Sequence, residues 1–296
     1  MTDCFYHYTD AQTALKILTK KELWMTHTSF LNDTQEGKEL RIYLNKALLN
    51  PEICKILDYI DSNFESYICS FSKNGDLLSQ WRGYCPDGEG YSIGFHQPKS
   101  FKTLLNPEGE ACFRGEEKPN VDSSHATWHV SNYEKCIYLD EEKEKICESL
   151  VQDMENSYAN MPDNIRKIVS ELPKTPQELK DLYNYLSNVN VWFKLYIYYS
   201  CLFKDESFQE EDEYRLFITF NNRYKQEPCY RVKKGIFIPY HRFCFEDKLF
   251  KEIIVRKTSH DEFADKGLRH YLKHHKKMTN EQIDIFIKPS GIPFRG

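Results

Sequence analysis

The run Glu210-Glu211-Asp212-Glu213-Tyr214-Arg215-Leu216-Phe217-Ile218-Thr219-Phe220 decides how the chain is read. Its second half, Tyr214 to Phe220, is rich in aromatic and β-branched residues and predicts a buried strand. What precedes it is different. From about Glu141 to Asn188 the pattern is helical, with Ile146, Leu150, Met154 and Tyr158 four residues apart on one face. Thr175-Pro176-Gln177-Glu178 starts a helix inside this stretch: a capping residue, a proline in the first turn and a glutamate three after the cap. The tyrosine-rich apolar run Val191 to Phe203 then leads to the acidic cluster. Composition changes without a flexible linker, so residues about 140–203 read as a helical insertion within a single domain spanning 1–296.

Strands lie on both sides of it. Phe5 to Tyr8 is short and aromatic, and Thr9 with Gln12 offers a capping box for a helix carrying Ala11, Ala14, Leu15 and Leu18. Leu23 to Thr28 is extended. Asp33 with Glu36 offers a second box, for a helix burying Leu40, Leu44 and Leu48. Ser66 to Ser72 and Gly90 to Phe95 read as buried strands joined by a polar loop with Trp81, Arg82 and Tyr84. Further strands are expected at Tyr133–Leu139, Cys229–Val232, Ile236–Pro239 and Phe250–Val255. Ser259 with Glu262 caps a helix with Phe263, Leu268 and Leu272, and Ile283–Ile287 leads into an extended tail through Pro289 and Arg295. Strands at both ends and helices in the middle describe an α+β fold with a mixed, mainly antiparallel sheet.

Composition narrows the function classes. The 296 residues carry 40 Lys+Arg against 45 Asp+Glu, a formal charge of −5, which argues against a protein that works by coating nucleic acid with positive surface. With 4 Trp, 20 Tyr and 19 Phe the chain is globular rather than disordered. No apolar run approaches the ~20 residues that span a bilayer, and Met1-Thr2-Asp3-Cys4-Phe5 lacks the basic start and apolar core of a signal peptide. A cytoplasmic protein with no membrane partner is expected. The 10 cysteines are scattered with no CxxC pair, so they read as reduced, packed thiols and no metal site is assigned.

Several clusters carry chemistry. Adjacent carboxylates at Glu210–Glu213 are costly unless solvent or a partner charge relieves them. If Glu211 and Glu213 lie in a strand they share one side, which suits general-base work or stabilisation of a cationic transition state. A solvated acidic loop, or an ion pair of Glu213 with Arg215, is the plainer alternative. His7-Tyr8 on the first strand supplies an imidazole able to donate and accept, as a ribose diol requires, or a merely packed histidine. Ser70 and Ser72 flank Phe71 and point to one side. Trp81, Arg82 and Tyr84 offer an aromatic and cationic set for a planar ring or a phosphate. Asn32, Asp33 and Glu36 are candidates for substrate contact, although helix capping accounts for Asp33 and Glu36 without any ligand. Lys266 to Lys277, with His270 and His274, reads as a solvated helix end.

The order of these pieces resembles a bacterial family catalogued as a domain of unknown function (number 2971). It is carried by Tyr6-His7-Tyr8-Thr9, Leu31-Asn32-Asp33-Thr34-Gln35-Glu36, Ser70-Phe71-Ser72, Trp81-Arg82-Gly83-Tyr84, Gly90-Tyr91-Ser92-Ile93-Gly94-Phe95, Glu211-Asp212-Glu213-Tyr214-Arg215 and the closing Ser290-Gly291-Ile292-Pro293-Phe294-Arg295. The same order is similar to the ADP-ribosyltransferase fold, with its split, mainly antiparallel sheet. That resemblance implies NAD as substrate and no metal. It implies catalytic roles for Glu213, Glu211 and His7, and cofactor binding by His7, Tyr8, Ser70, Ser72, Trp81, Arg82, Tyr84 and Tyr91. The sequence mixes features of the His-Tyr-Glu and Arg-Ser-Glu versions of that fold.

The expectation is an NAD-consuming, ADP-ribosyltransferase-like enzyme modifying a protein or nucleic acid, a toxin or phage-defence effector with a cognate antitoxin. The alternatives are a non-catalytic nucleotide-sensing or partner-binding module, and a metal-dependent nuclease using Asp33, Glu211 and Glu213 with Lys204 or Arg215 assisting.

Overall fold

A computed structural model describes residues 4–33, 37–85, 90–99, 111–114, 129–130, 133–189, 191–221, 227–256 and 261–292. The chain begins β1 (Cys4–Thr9), α1 (Ala11–Lys20), β2 (Glu22–His27), α2 (Glu39–Ala47), α3 (Pro51–Asn63), β3 (Phe64–Ser72), α4 (Leu78–Tyr84) and β4 (Tyr91–His96). Three short strands follow, β5 (Ala111–Arg114), β6 (His129–Val130) and β7 (Glu134–Lys135). Then come the helices α5 (Asp140–Ala159), α6 (Asp163–Glu171), α7 (Pro176–Val189) and α8 (Val191–Ser200). The last third holds β8 (Glu213–Asn221), β9 (Cys229–Lys233), β10 (Ile236–Phe245), β11 (Phe250–Val255), α9 (Asp261–His275), α10 (Asn280–Phe286) and β12 (Ile287–Pro289).

Among the described residues the strands form one 12-stranded sheet, ordered β12-β11-β4-β1-β3-β2-β10-β5, with β8 on β3, β6 and β7 on β8, and β9 on β10. Apart from the parallel β11–β12 pair the ladders between these strands are antiparallel, so the fold is α+β. The centre is β3. One of its edges pairs with β8 throughout, from Phe64↔Asn221 to Ser72↔Glu213. Its other edge is shared: β1 joins at Tyr6↔Ser72, and β2 joins at Thr26↔Ile68 and His27↔Tyr67. Between those points, at Cys69 to Phe71, the two strands part. β1 leads on to β4, and β2 to β10.

Side-chain alternation buries both faces of the central strands. Tyr67, Cys69 and Phe71 of β3, with Leu216, Ile218 and Phe220 of β8, pack with Ala14, Ile17 and Leu18 of α1, Leu268 and Leu272 of α9 and Ile283 of α10. Ile68 and Phe217 face the other way, into a second core built from α2, α3 and α5–α8. The helices expected over about 140–203 are α5 to α8, and Glu178 closes the expected box by accepting the Thr175 N–H at 2.9 Å. Leu40, Leu44 and Leu48 are buried as read.

Other expectations change. The N-cap of α1 is Asp10, which accepts from Thr13 N at 2.8 Å, rather than Thr9, which stays in β1. Trp81, Arg82 and Tyr84 lie on helix α4, not in a loop, because Trp81 and Cys85 turn a shared apolar side to Tyr8. Helix α3 is additional to the expected elements; Asn50 caps it with Pro51 in the first turn. The strand expected at Tyr133–Leu139 shrinks to β7, with Ile137 bridging Phe203. Ile283 to Phe286 is helical: Thr279 and Gln282 form a capping box that starts α10, leaving only Ile287–Pro289 extended. Glu36, Ser259 and residues 293–295 lie outside the described residues.

Candidate functional site

The gap between β1 and β2 exposes backbone of β3, and buried carbonyls require a donor. His7 of β1 supplies it: its Nδ1 lies 3.0 Å from the Ser70 carbonyl oxygen. A carbonyl only accepts, so Nδ1 carries the hydrogen and Nε2 of the neutral ring is the acceptor. Burial lowers the His7 pKa, the Ser70 carbonyl opposes that, and the Arg231 charge adds to it. The imidazole is neutral at neutral pH.

The acid cluster assembles differently from a strand alternation. Glu211 ends a short 3-10 turn, Glu206–Glu211, and Asp212 takes the left-handed conformation at φ 40° before β8 begins at Glu213. Glu211 and Glu213 are nevertheless brought together, because the Lys204 ammonium hydrogen-bonds to both. Glu213 also takes Arg215 Nε on Oε1 at 2.9 Å and Nη2 on Oε2 at 3.2 Å, and its N–H donates to the Tyr138 hydroxyl at 2.9 Å. Asp212 pairs with Lys135 at 3.0 Å. The repulsion among adjacent carboxylates is thus relieved by three cations, and the solvated-loop reading does not hold for Glu211 and Glu213, whereas Asp212 and Lys135 pair in contact with solvent. Burial alone raises the Glu213 pKa, but Arg215 and Lys204 outweigh it and hold the carboxyl at about 2. Burial likewise opposes the Lys204 ammonium, and Glu213 with Glu211 raises its pKa overall against the nearby Arg215 charge.

His7, Ser70, Tyr84, Glu211 and Glu213 line one cleft at this parting, with a volume of about 410 Å³, in the range of small-molecule sites. Asp10, the N-cap of α1, with Thr13 and Lys16 of that helix, Asn32 and Asp33, and Arg231 and Ile238 of the β9–β10 hairpin also line it. A smaller cavity shares His7, Tyr8, Ser70, Tyr84, Glu211 and Glu213 with it and adds Tyr6 and Gln80. Burial raises the Tyr84 pKa, and Glu211 and Glu213 add to that, so the phenol stays protonated beside the acids.

Not every residue proposed from sequence reaches the cleft. His7, Tyr8, Ser70, Tyr84, Glu211 and Glu213 do. The Tyr8 hydroxyl is already engaged, donating to Asn74 O at 2.7 Å and accepting from Leu77 N at 2.8 Å. Ser72 is buried, its Oγ accepting from Asn74 N at 3.2 Å. Trp81 is 1% exposed; its indole packs on Tyr8 and donates to Asp76 Oδ1 at 2.7 Å, a structural position and not a stacking platform for a ligand. Arg82 is exposed and outside the cleft lining, and Tyr91 packs against the core shared with α1 and α9. The rings of His270 and His274 lie 4.2 Å apart on the exposed side of α9, outside the cleft lining.

Trp24, Thr26 and Arg231 line the cleft without having been singled out. A signal existed: Lys234-Gly235, both at positive φ, is a two-residue hairpin turn that fixes Arg231 opposite Ile238. Among the described residues no group of His, Cys, Asp and Glu is arranged to hold a metal ion, and no helix is long and apolar enough to cross a membrane.

A family model described as "Protein of unknown function (DUF2971)" matches residues 80–216. The match takes in Tyr84 and the Glu211–Arg215 cluster, while His7 and Ser70 lie outside it. No curated protein matches the chain, and no solved structure does.

Proposed function

We propose that this cleft binds NAD and transfers its ADP-ribosyl group to a protein or nucleic-acid acceptor, the chemistry of the ADP-ribosyltransferase fold. One observation carries the reading: His7 of β1, Ser70 of β3 and the acids Glu211 and Glu213, far apart in sequence, line a single cleft where β1 and β2 part. The neutral His7 ring offers Nε2 to a ribose hydroxyl. In the reaction the C1′–N bond breaks and its electron pair leaves with nicotinamide. The acceptor nucleophile forms the new bond to C1′ and yields its proton to a carboxylate or to water. Positive charge builds on the sugar in between, where a fixed carboxylate is most effective.

The two acids divide the work. Glu213 is held by two cations and positions Lys204, whereas Glu211, with 20% of its side chain exposed, shares only Lys204 and is the acid a ribose hydroxyl reaches first. Modification of an essential macromolecule suits a toxin or phage-defence effector restrained by a cognate antitoxin.

A second reading, a nucleotide-binding module without turnover, is favoured by one feature. Two carboxylates and two cations make the cluster electrically balanced before any ligand enters. A metal-dependent nuclease has less support, because a divalent ion would have to displace an ammonium and a guanidinium from the same oxygens. Nicotinamide release from NAD, measured beside calorimetric NAD binding, separates these. The wild type releases nicotinamide, and Glu211→Gln cuts the rate ~10²-fold with its melting temperature unchanged. Binding without release selects the module; no NAD binding removes both readings.

A further inference from the structure

Arg231 is a partly buried cation of this cleft with no carboxylate partner among the described residues. Its Nη2 donates to the neutral Thr26 hydroxyl at 2.9 Å, and the guanidinium lies 5.7 Å from the centre of the Trp24 ring. Its Nε is buried with no hydrogen-bond partner, and among the described residues no carboxylate pairs with it. Four of the cleft's acids are committed elsewhere: Glu211 and Glu213 to Lys204, Asp10 to the N-terminus of α1, and Glu22 to the Trp24 indole at 3.2 Å. A half-buried guanidinium with only a hydroxyl and an aromatic face is short of compensation, since removing such a charge from water is costly unless an anion meets it. Its position is fixed, because the Lys234-Gly235 turn and the Arg231↔Ile238 pairing hold it on a sheet rather than a loop.

We propose that Arg231 forms a phosphate subsite of the cleft and takes the diphosphate of a nucleotide ligand. This deepens the nucleotide reading above and rests on it. A planar guanidinium offers paired donors matched to phosphate oxygens, which the point charge of a lysine does not reproduce. Lys233 and Lys234, at the exposed end of the same hairpin, extend the positive field towards solvent, while His7 of β1 and Glu211 of the 3-10 turn before β8 line the same cleft. A diphosphate on Arg231 therefore leaves the ribose beyond it to His7 and the acids.

The test is calorimetric titration of the full chain with inorganic diphosphate, ADP-ribose and nicotinamide riboside, which lacks phosphate altogether beyond its sugar. Wild type binds the first two. Arg231→Gln weakens both ~10- to 100-fold, Arg231→Lys restores only part, and any binding of nicotinamide riboside is unaffected. Lys233→Gln changes these affinities less than threefold, and melting curves establish that each variant is folded. Equal ADP-ribose affinity in wild type and Arg231→Gln overturns the subsite, as does a wild type that binds neither phosphate ligand. Arg231-dependent ADP-ribose binding without nicotinamide release from NAD sustains the subsite and removes the transferase reading instead.

Discussion

Arg215 and Glu213, two residues apart on β8, grip each other at two points, Nε to Oε1 at 2.9 Å and Nη2 to Oε2 at 3.2 Å, and both are buried. Arg215 Nη1 also reaches the Cys201 carbonyl oxygen at 2.6 Å, tying the end of α8 to the sheet. The ion pair thus joins the helical layer to the strand that carries the site. Removing one member leaves a buried charge without its partner, which is more costly than the pair itself is stabilising.

Glu213→Gln is accordingly a stability variant before it is an activity variant. It leaves Lys204 with Glu211 alone and Arg215 without a carboxylate, and a loss of about 3–5 kcal/mol is expected. Urea denaturation at neutral pH measures it. A loss below about 1 kcal/mol would contradict the buried network.

The same carboxyl shapes acid stability. Its folded pKa of about 2 lies below the unfolded value near ~4.3, so its contribution is full above the unfolded value and disappears as pH falls towards 2. In urea titrations between pH 5 and 3, Glu213→Gln should lose less stability than wild type, starting from its lower baseline.

His241 governs a higher pH range. It is 3% exposed and packed against the rings of Tyr67 and Phe220, and burial, with the nearby His27 adding to it, lowers its pKa to about 4. The unfolded chain therefore takes up its proton first, near pH ~6.5, and the folded form loses on the order of 3 kcal/mol as pH falls from there to about 4. His241→Phe should flatten that limb. His7 and His27, also lowered by burial, keep part of it in place.

Asp76 anchors the end of the described chain. It accepts from Trp81 Nε1 at 2.7 Å, Ser290 Oγ at 2.6 Å and the Gly291 N–H at 2.6 Å. Asp76→Ala is expected to cost about 2–4 kcal/mol and to raise amide exchange at Ser290 and Gly291, read by hydrogen-exchange mass spectrometry. Unchanged protection there would mean that the segment is held by other contacts.

His7 tests the site, with melting curves run beside it because the Nδ1–H also serves the Ser70 carbonyl. His7→Leu removes the Nε2 acceptor and should weaken NAD binding about tenfold through a lost hydrogen bond, with ADP-ribose weakened alike if the contact is to the ribose. Equal affinity of the two proteins would move His7 out of the ligand's reach.

Local signals made most elements legible. The four-residue spacing from Ile146 to Tyr158, the Thr175–Glu178 box and the apolar runs of β3, β4, β8 and β11 depend on near neighbours, and the structure carries each as a helix or a strand. The errors have local causes too. The polar neighbours of Trp81 and Tyr84 suggest a loop, although their apolar spacing places them on α4, and the β-branched Ile283 and Ile285 suggest a strand where the Thr279–Gln282 box starts α10. The residue types at the site were visible as well, but as a set that mixed cleft residues such as His7 and Glu211 with the buried Ser72 and Trp81.

By itself the sequence determined the alternation of strands and helices, because hydrophobic period and capping chemistry act within a few residues. It also determined which groups capable of chemistry exist. Only the tertiary structure decided which of them meet. The parting of β1 and β2 on the edge of β3 sets His7 across from Glu213, and three cations brought from Lys135, Lys204 and Arg215 turn an acidic run into a bound cluster. Those encounters join residues as far apart as His7 and Glu213, and no local pattern encodes the register that creates them.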